Sequence, residues 1–236
     1  MKIIKKILTL PKYFFSNKYE KIYFKFKLLS LIGKLFNLEE LFFTDPLKES
    51  ILEDDDMKTL KKITENEVLI SLDRKFVLKN LLKLAKNING DFIECGVFKG
   101  ASAYLICRFI EKNNLCKKLY LVDSFEGLSE PMREDGDYWK KGDLKSAQLY
   151  PQLKKYKYTI EVYKGWIPEV FSQLPKGVKF SFAHIDVDLY QPTLESIKFV
   201  WERLSSGGII LFDDYNFKTC PGAKKAIDEF FLNKNE

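Results

Sequence analysis

Between residues 67 and 232 the chain alternates short apolar runs with segments of helical periodicity, and this alternation constrains the fold more than any other feature. The runs 92–95, 119–122, 159–164, 178–185 and 208–212 read as strands. Segments 67–87, 101–112, 166–173, 192–204 and 221–232 read as helices, with Pro168 opening the third. Leu72, Phe76, Leu78, Leu82 and Leu84 supply the apolar face of the first. Strands alternating with helices give a mostly parallel sheet covered on both faces. In such sheets ligands lie beyond the carboxyl ends of the strands, so the residues following each strand carry the functional information.

Composition narrows the class further. With 46% hydrophobic and 31% charged residues in a chain of 236, there is enough apolar surface for a sizeable core, which excludes disorder. No uncharged apolar run approaches the roughly 20 residues that span a bilayer. The opening stretch to Pro11 is basic, but its apolar part is short and no cleavage site follows, so no signal peptide is expected. Four cysteines without paired spacing suit reduced thiols in the cytoplasm. The single histidine, His184, excludes His-rich zinc chemistry and any Ser-His-Asp triad that does not use it.

The net charge of +6 is unevenly spread. Residues 1–36 hold nine lysines and one acid, whereas residues 37–57 hold eight acids and one lysine. Ile22, Phe26, Leu29, Ile32 and Phe36 recur at helical spacing, although Phe24 and Leu28 also fit a strand. A helix packed on its own domain or on a second subunit is the expectation; peripheral contact with a membrane surface is the alternative. Nucleic acid is not an expected partner. Residues 1–66 thus read as a basic and acidic helical appendage, with the acidic stretch 49–56 as a solvated boundary. Residues 67–236 form the main domain, with a polar lid over about 127–150 (a floppy insertion is the competing reading).

The first strand runs into Glu94-Cys-Gly96-Val-Phe-Lys-Gly100-Ala-Ser102, a glycine-containing turn into a helix N-terminus that can receive an anion. It lacks the third glycine of a dinucleotide fingerprint and better suits a ligand with one carboxylate and an adenosine. Asp123 and Ser124 follow the second strand, where an acid can hold a ribose diol or cap a helix. Gly165 and Trp166 follow the third, offering a close backbone and a flat ring for adenine, or else a core tryptophan. The fourth and fifth strands end in Asp186, Asp188, Asp213 and Asp214. Two like charges 4 Å apart repel by about 4 kcal/mol at an effective dielectric of 20, so four need a cation, a shared proton or divergent side chains. All-oxygen ligands favour Mg²⁺ over Zn²⁺.

The segments 92–102, Val122-Asp-Ser-Phe-Glu-Gly127, His184-Ile-Asp-Val-Asp-Leu-Tyr190, 207–215 and 221–230, in this order, resemble the macrocin O-methyltransferase family over roughly residues 68–230. The resemblance implies a Rossmann-like class I methyltransferase fold and an enzyme using S-adenosylmethionine and Mg²⁺ to methylate a sugar hydroxyl. It implies Asp186, Asp213 and Asp214 as metal ligands and Asp188 as general base. It also places Glu94, Gly96, Ser102 and Asp123 at the cofactor. The expected acceptor is a sugar-containing small molecule or glycan precursor, and a homo-oligomer is expected. Ala101 stands where the family commonly has glycine, a mild departure. The chain stops at Glu236, before the family's closing pair of strands, which would leave strand 208–212 near an open edge that a partner subunit covers. A metal-dependent glycosyltransferase using an Asp-x-Asp pair and a non-catalytic module with this fold are the alternatives.

Overall fold

A computed structural model describes residues 50–51, 53–65, 70–146, 148–232 and 234. The basic stripe expected over 22–36 lies outside these residues, as does all of the appendage before residue 50. The chain divides into two compact units, 1–52 and 53–236, and only residues 50 and 51 of the first are described.

The second unit carries helices α1 (Asp55–Ile63), α2 (Leu72–Ala85), α3 (Ala101–Lys112), α4 (Tyr190–Trp201) and α5 (Pro221–Phe231). Its strands are β1 (Asp91–Cys95), β2 (Leu119–Asp123), β3 (Ile160–Lys164), β4 (Phe180–Ile185) and β5 (Leu204–Phe212). They form one sheet in the order β3-β2-β1-β4-β5, and every pairing is parallel. Among the described residues β5 is an edge strand, as expected for segment 208–212. No described helix is long and apolar enough to cross a membrane.

Strand parity divides the side chains between two faces. Ile93, Cys95, Ala183 and Ile185 join Ile197 and Val200 of α4 and Ile227 of α5 in one core cluster. On the other face Phe92 and Phe182 meet edge to face at 5.8 Å, and both are fully buried, as are Leu78 and Leu82 of α2. Burying one such side chain contributes about 1.5–3 kcal/mol. The buried stripe of α2 runs Lys75, Leu78, Leu82, Ala85, whereas Leu84, expected on that face, is 65% exposed. Sequence hydropathy misses this stripe because a lysine opens it.

Three further expectations are corrected. The segment 166–173 is not an α-helix: Glu169–Gln173 forms a single 3₁₀ stretch behind a cis Ile167–Pro168 bond. Its carbonyl-to-amide bonds from Trp166 to Val170 and from Pro168 to Phe171 are turn-like. The fourth helix ends at Trp201, and Leu204 already begins β5.

The acidic stretch is not a solvated boundary either. Asp54 caps α1 by accepting from the amides of Asp56 and Met57 at 2.9 and 3.1 Å. Asp56 is buried and accepts from Lys79 (2.8 Å), Arg108 (2.9 Å) and Lys112 (2.7 Å). Three converging cations make burial of this carboxylate favourable and fasten α1 to α2 and α3. Burial opposes ionisation, but the hydrogen bonds from Lys112, Lys79 and Arg108 win and hold Asp56 well below its ordinary 3.8. Its stabilising contribution is therefore present above that value and lost as pH falls beneath it. Asp56→Asn is expected to cost about 1–3 kcal/mol at pH 7 and to flatten the acid limb of a melting-temperature profile. An acid limb unchanged in the variant would remove Asp56 from this account.

Candidate active site

The chain leaves β1 toward β2 on one side of the sheet and returns to β4 on the other, so the carboxyl ends of β1 and β4 flank a topological switch point. Register aligns Glu94 with His184, and His184 with Leu211 of β5. Asp186 lies two residues beyond His184 and Asp213 two beyond Leu211. Period-two alternation thus turns Glu94, His184, Asp186 and Asp213 to the face that α2 covers.

On that face His184 is fully buried and bridges two acids: Nδ1 lies 3.0 Å from Glu94 Oε1 and Nε2 lies 3.3 Å from Asp213 Oδ1. Burial pulls the imidazole pKa down, but the hydrogen bonds to Asp213 and Glu94 prevail and raise it to about 9. Asp213 meets burial with stronger opposition: His184, then Lys75 and Arg74, hold it well below the usual carboxylate range. The Lys75 ammonium is 3.4 Å from Asp186 Oδ2 and 3.5 Å from Asp213 Oδ1, and the Arg74 guanidinium bonds the other Asp213 oxygen.

A second cluster adjoins the first. Asp188 occupies the left-handed region at φ 59°, a conformation aspartate adopts more readily than most residues, and its amide donates to Asp214 Oδ2 at 2.9 Å. The Cys220 thiol donates to Asp188 Oδ1 at 3.4 Å, and Trp139 Nε1 from the lid donates to Cys220 Sγ at 3.5 Å. Burial, then the charge of Asp186, raises Asp188 to about 7, and the same two causes raise Asp214 well above its ordinary value.

Charge accounting shows what the site requires. The Glu94–His184 pair is neutral wherever its proton sits. Four aspartates then face two cations, Arg74 and Lys75, which leaves two negative charges when all are ionised. Protons on Asp188 and Asp214 offset that excess, and so would one divalent cation. The donors are carboxylate oxygens with one imidazole, a set suited to a hard ion. Asp186, Asp213 and Asp214 therefore fit the metal role expected of them, with Asp188 beside them. Glu94 Oε2 is buried with no hydrogen-bond partner among the described residues, which leaves an acceptor available in the cofactor turn.

Several glycine and turn residues serve the backbone more directly than a ligand. A Cβ on Gly96 would lie 1.8 Å from the Asp186 carbonyl oxygen, so this glycine lets the β1 and β4 ends close together. Gly100, at φ 88°, precedes α3, with Leu153 filling the space of its missing side chain. The carboxylate of Asp123 accepts from the amides of Val97 (2.7 Å), Phe98 (2.9 Å) and Phe125 (2.6 Å). It thereby clips together two turns whose phenylalanines hold positive φ values of 51° and 55°. Its oxygens are engaged by the backbone rather than open to a diol, which sequence position alone does not reveal. Ser124 Oγ donates to the Gly127 carbonyl, and Ser102 is buried at the start of α3. The Gly165 amide donates to the Asp123 carbonyl, and Trp166 is 38% exposed beside it, so it is not a core tryptophan.

The segment 127–150 is pinned rather than floppy. Asp135 accepts from the amides of Met132 (2.7 Å) and Tyr190 (2.6 Å), tying the segment to the start of α4. A Cβ on Gly222 would fall 1.9 Å from Asp135 Oδ1, which accounts for a glycine in the first turn of α5. Arg74, Lys75, Trp139 and Cys220 escape a sequence reading. Only Lys75 carries a signal, as a charge on the 75–78–82–85 stripe.

Comparison with known proteins agrees with this geometry. A family model described as macrocin-O-methyltransferase (TylF) matches residues 74–235. The 8-demethyl-8-(2,3-dimethoxy-alpha-L-rhamnosyl)-tetracenomycin-C 4'-O-methyltransferase of Streptomyces olivaceus is 26% identical over 153 residues, covering 59% of this chain and 58% of its own length. Demethyldecarbamoylnovobiocin O-methyltransferase of Streptomyces niveus is 25% identical over 164 residues, 62% of this chain and 60% of its own. The chain thus spans less than two thirds of the length of either relative. Among solved structures, the O-methyltransferase NovP superposes with a TM-score of 0.56 at 21% identity, covering 69% of this chain and 72% of its own. The calicheamicin methyltransferase CalS11 gives 0.60 at 17% identity, covering 80% and 87%. These superpositions establish the Rossmann-like methyltransferase fold.

The protonation pattern has a measurable consequence. Asp188 titrates above its ordinary 3.8 when folded, so its contribution to stability is present at acidic pH and lost as pH rises through about 7. His184, raised from 6.5 to about 9, adds a loss in the same direction over a higher window. In chelator-treated protein the melting temperature is expected to fall between pH 5 and pH 8, by the equivalent of about 1–4 kcal/mol. Asp188→Asn should flatten the lower part of that slope. A flat profile in the unmutated protein would contradict the charge accounting.

Proposed function

Because the chain belongs to the macrocin O-methyltransferase family, we propose that it transfers the methyl group of S-adenosylmethionine to a sugar hydroxyl, assisted by Mg²⁺. The observation that carries this reading is the pair of uncompensated negative charges at the β1/β4 switch point. Asp186, Asp213 and Asp214 would hold the divalent ion. When bound, the ion supplies Lewis acidity that lowers the pKa of a sugar hydroxyl. Glu94, Gly96, Gly100, Ser102, Asp123, Ser124, Gly165 and Trp166 would form the S-adenosylmethionine site, which supplies an electrophilic methyl. Glu94 Oε2 offers it an acceptor, and Asp123 keeps the two flanking turns in shape.

Asp188 accepts the hydroxyl proton in this scheme. Its left-handed backbone aims the carboxylate, and the Cys220 thiol and the Asp214 contact to its amide limit its swing. An aspartate held near 7 is a stronger base than one at its ordinary 3.8, and so better matched to the task. Trp139 on Cys220 and Asp135 on Tyr190 hold the 127–150 segment against this rim, where it can shield the reacting atoms from water.

The curated relatives act on rhamnosyl-tetracenomycin and novobiocin precursors by name, which supports a glycosylated small molecule as acceptor. The unpaired edge of β5 among the described residues supports self-association as part of the same reading. Methyl transfer from isotopically labelled S-adenosylmethionine to a panel of nucleotide sugars and glycosylated metabolites tests it. Transfer is expected with Mg²⁺ and not with chelator. Asp188→Asn is expected to lower kcat by about 10²–10⁴-fold with donor affinity unchanged. Transfer undiminished by chelator would overturn the metal assignment. Donor binding with no transfer to any sugar would instead favour a non-catalytic role.

A further inference from the structure

We propose that Lys75 and Arg74 form a built-in counter-cation that occupies one half of the acidic rim, so that the rim takes one divalent ion and not two. The inference rests on the reading above that the rim binds such an ion. It concerns two side chains which that reading leaves without a role.

The rim holds two sets of chelating atoms, each within 4.8 Å: His184 with Asp186 and Asp213, and Asp188 with Asp214 and Cys220. Carboxylate-rich pockets side by side are the arrangement by which two-metal sites are built. Here the first set is already spanned. The Lys75 ammonium lies between Asp186 Oδ2 and Asp213 Oδ1, at 3.4 and 3.5 Å. Those separations are long for charge-assisted hydrogen bonds, so the ammonium acts as a point charge between carboxylates and not as a short donor to either. Arg74 engages the second oxygen of Asp213, and His184 Nε2 approaches the first at 3.3 Å. Both Asp213 oxygens thus face positive or hydrogen-bearing nitrogen.

Lys75 itself sits on the buried stripe of α2 with its side chain 4% exposed. Removing an ammonium from water is costly by several kcal/mol, and only close carboxylates offset it. A lysine used merely to close the helix against the sheet would do so more favourably as leucine or methionine. A fixed cation at this point has two effects. It keeps four aspartates together in the absence of metal, and it repels a second cation from the Asp186–Asp213 half. Arg74, with its side chain 28% exposed and its guanidinium 5.0 Å from the centre of the Phe217 ring, reinforces the same charge from the solvent side.

Manganese binding followed by electron paramagnetic resonance, paired with melting temperature in chelator, tests the proposal on the full chain. The unmutated protein is expected to bind one Mn²⁺. Lys75→Met is expected to melt lower in chelator, to recover on adding Mn²⁺, and to bind a second ion or the first about tenfold more tightly. Lys75→Arg should restore the original stoichiometry. Arg74→Gln, at a partly exposed position, serves if Lys75→Met does not fold, and should tighten Mn²⁺ binding several-fold. Variants that bind one ion with unchanged affinity would overturn the counter-cation role and leave the proposed function standing. No Mn²⁺ bound by the unmutated protein would overturn both.

Discussion

Four aspartates arrive at one rim of the sheet because two adjacent parallel strands each end in a pair of acids, and the mutual repulsion of these acids shapes everything around them. Asp213 is neutralised by Arg74, Lys75 and the His184–Glu94 pair. Asp188 and Asp214 are left to hold protons or share a divalent ion. A buried histidine and a buried lysine, each costly alone, are stable here because they answer the same carboxylates.

Close approach of backbones makes this convergence possible. Gly96 lets the Asp186 carbonyl sit where a side chain would be, and Gly222 does the same for Asp135. Asp123 then gathers the amides of both neighbouring turns, and Asp135 and Trp139 bring the 127–150 segment onto α4 and Cys220. The rim is therefore a preorganised set of charges with a covering segment, an arrangement suited to a reaction that needs orientation and a base more than a protein nucleophile.

The electrostatic clamp around Asp56 plays a comparable part at the other end of α2. Asp54 and Asp56 with Lys79, Arg108 and Lys112 join α1, α2 and α3. Since α2 also carries Arg74 and Lys75, its placement bears directly on the acidic rim. The same helix thus links the stability of the outer layer to the charge of the site.

The order of strands and helices was legible in the sequence, because five short apolar runs separated by helical segments have few ways to bury themselves other than a parallel sheet. The four aspartates were legible too, since strand ends can be read from where apolar runs stop. What sequence could not show was which charges answer them. Arg74 and Lys75 lie more than 100 residues away in the chain from Asp186 and Asp213, and Lys75 reads as a flaw in an apolar stripe until α2 is laid over the sheet. Segment 166–173 failed as a helix because Pro168 follows a cis bond there. The acidic stretch 49–56 proved partly buried because three lysine and arginine side chains from α2 and α3 converge on it. Local periodicity fixes which residues point inward; the partners of a buried charge are set only when distant helices and strand ends meet, because electrostatic compensation depends on distance in space and not along the chain.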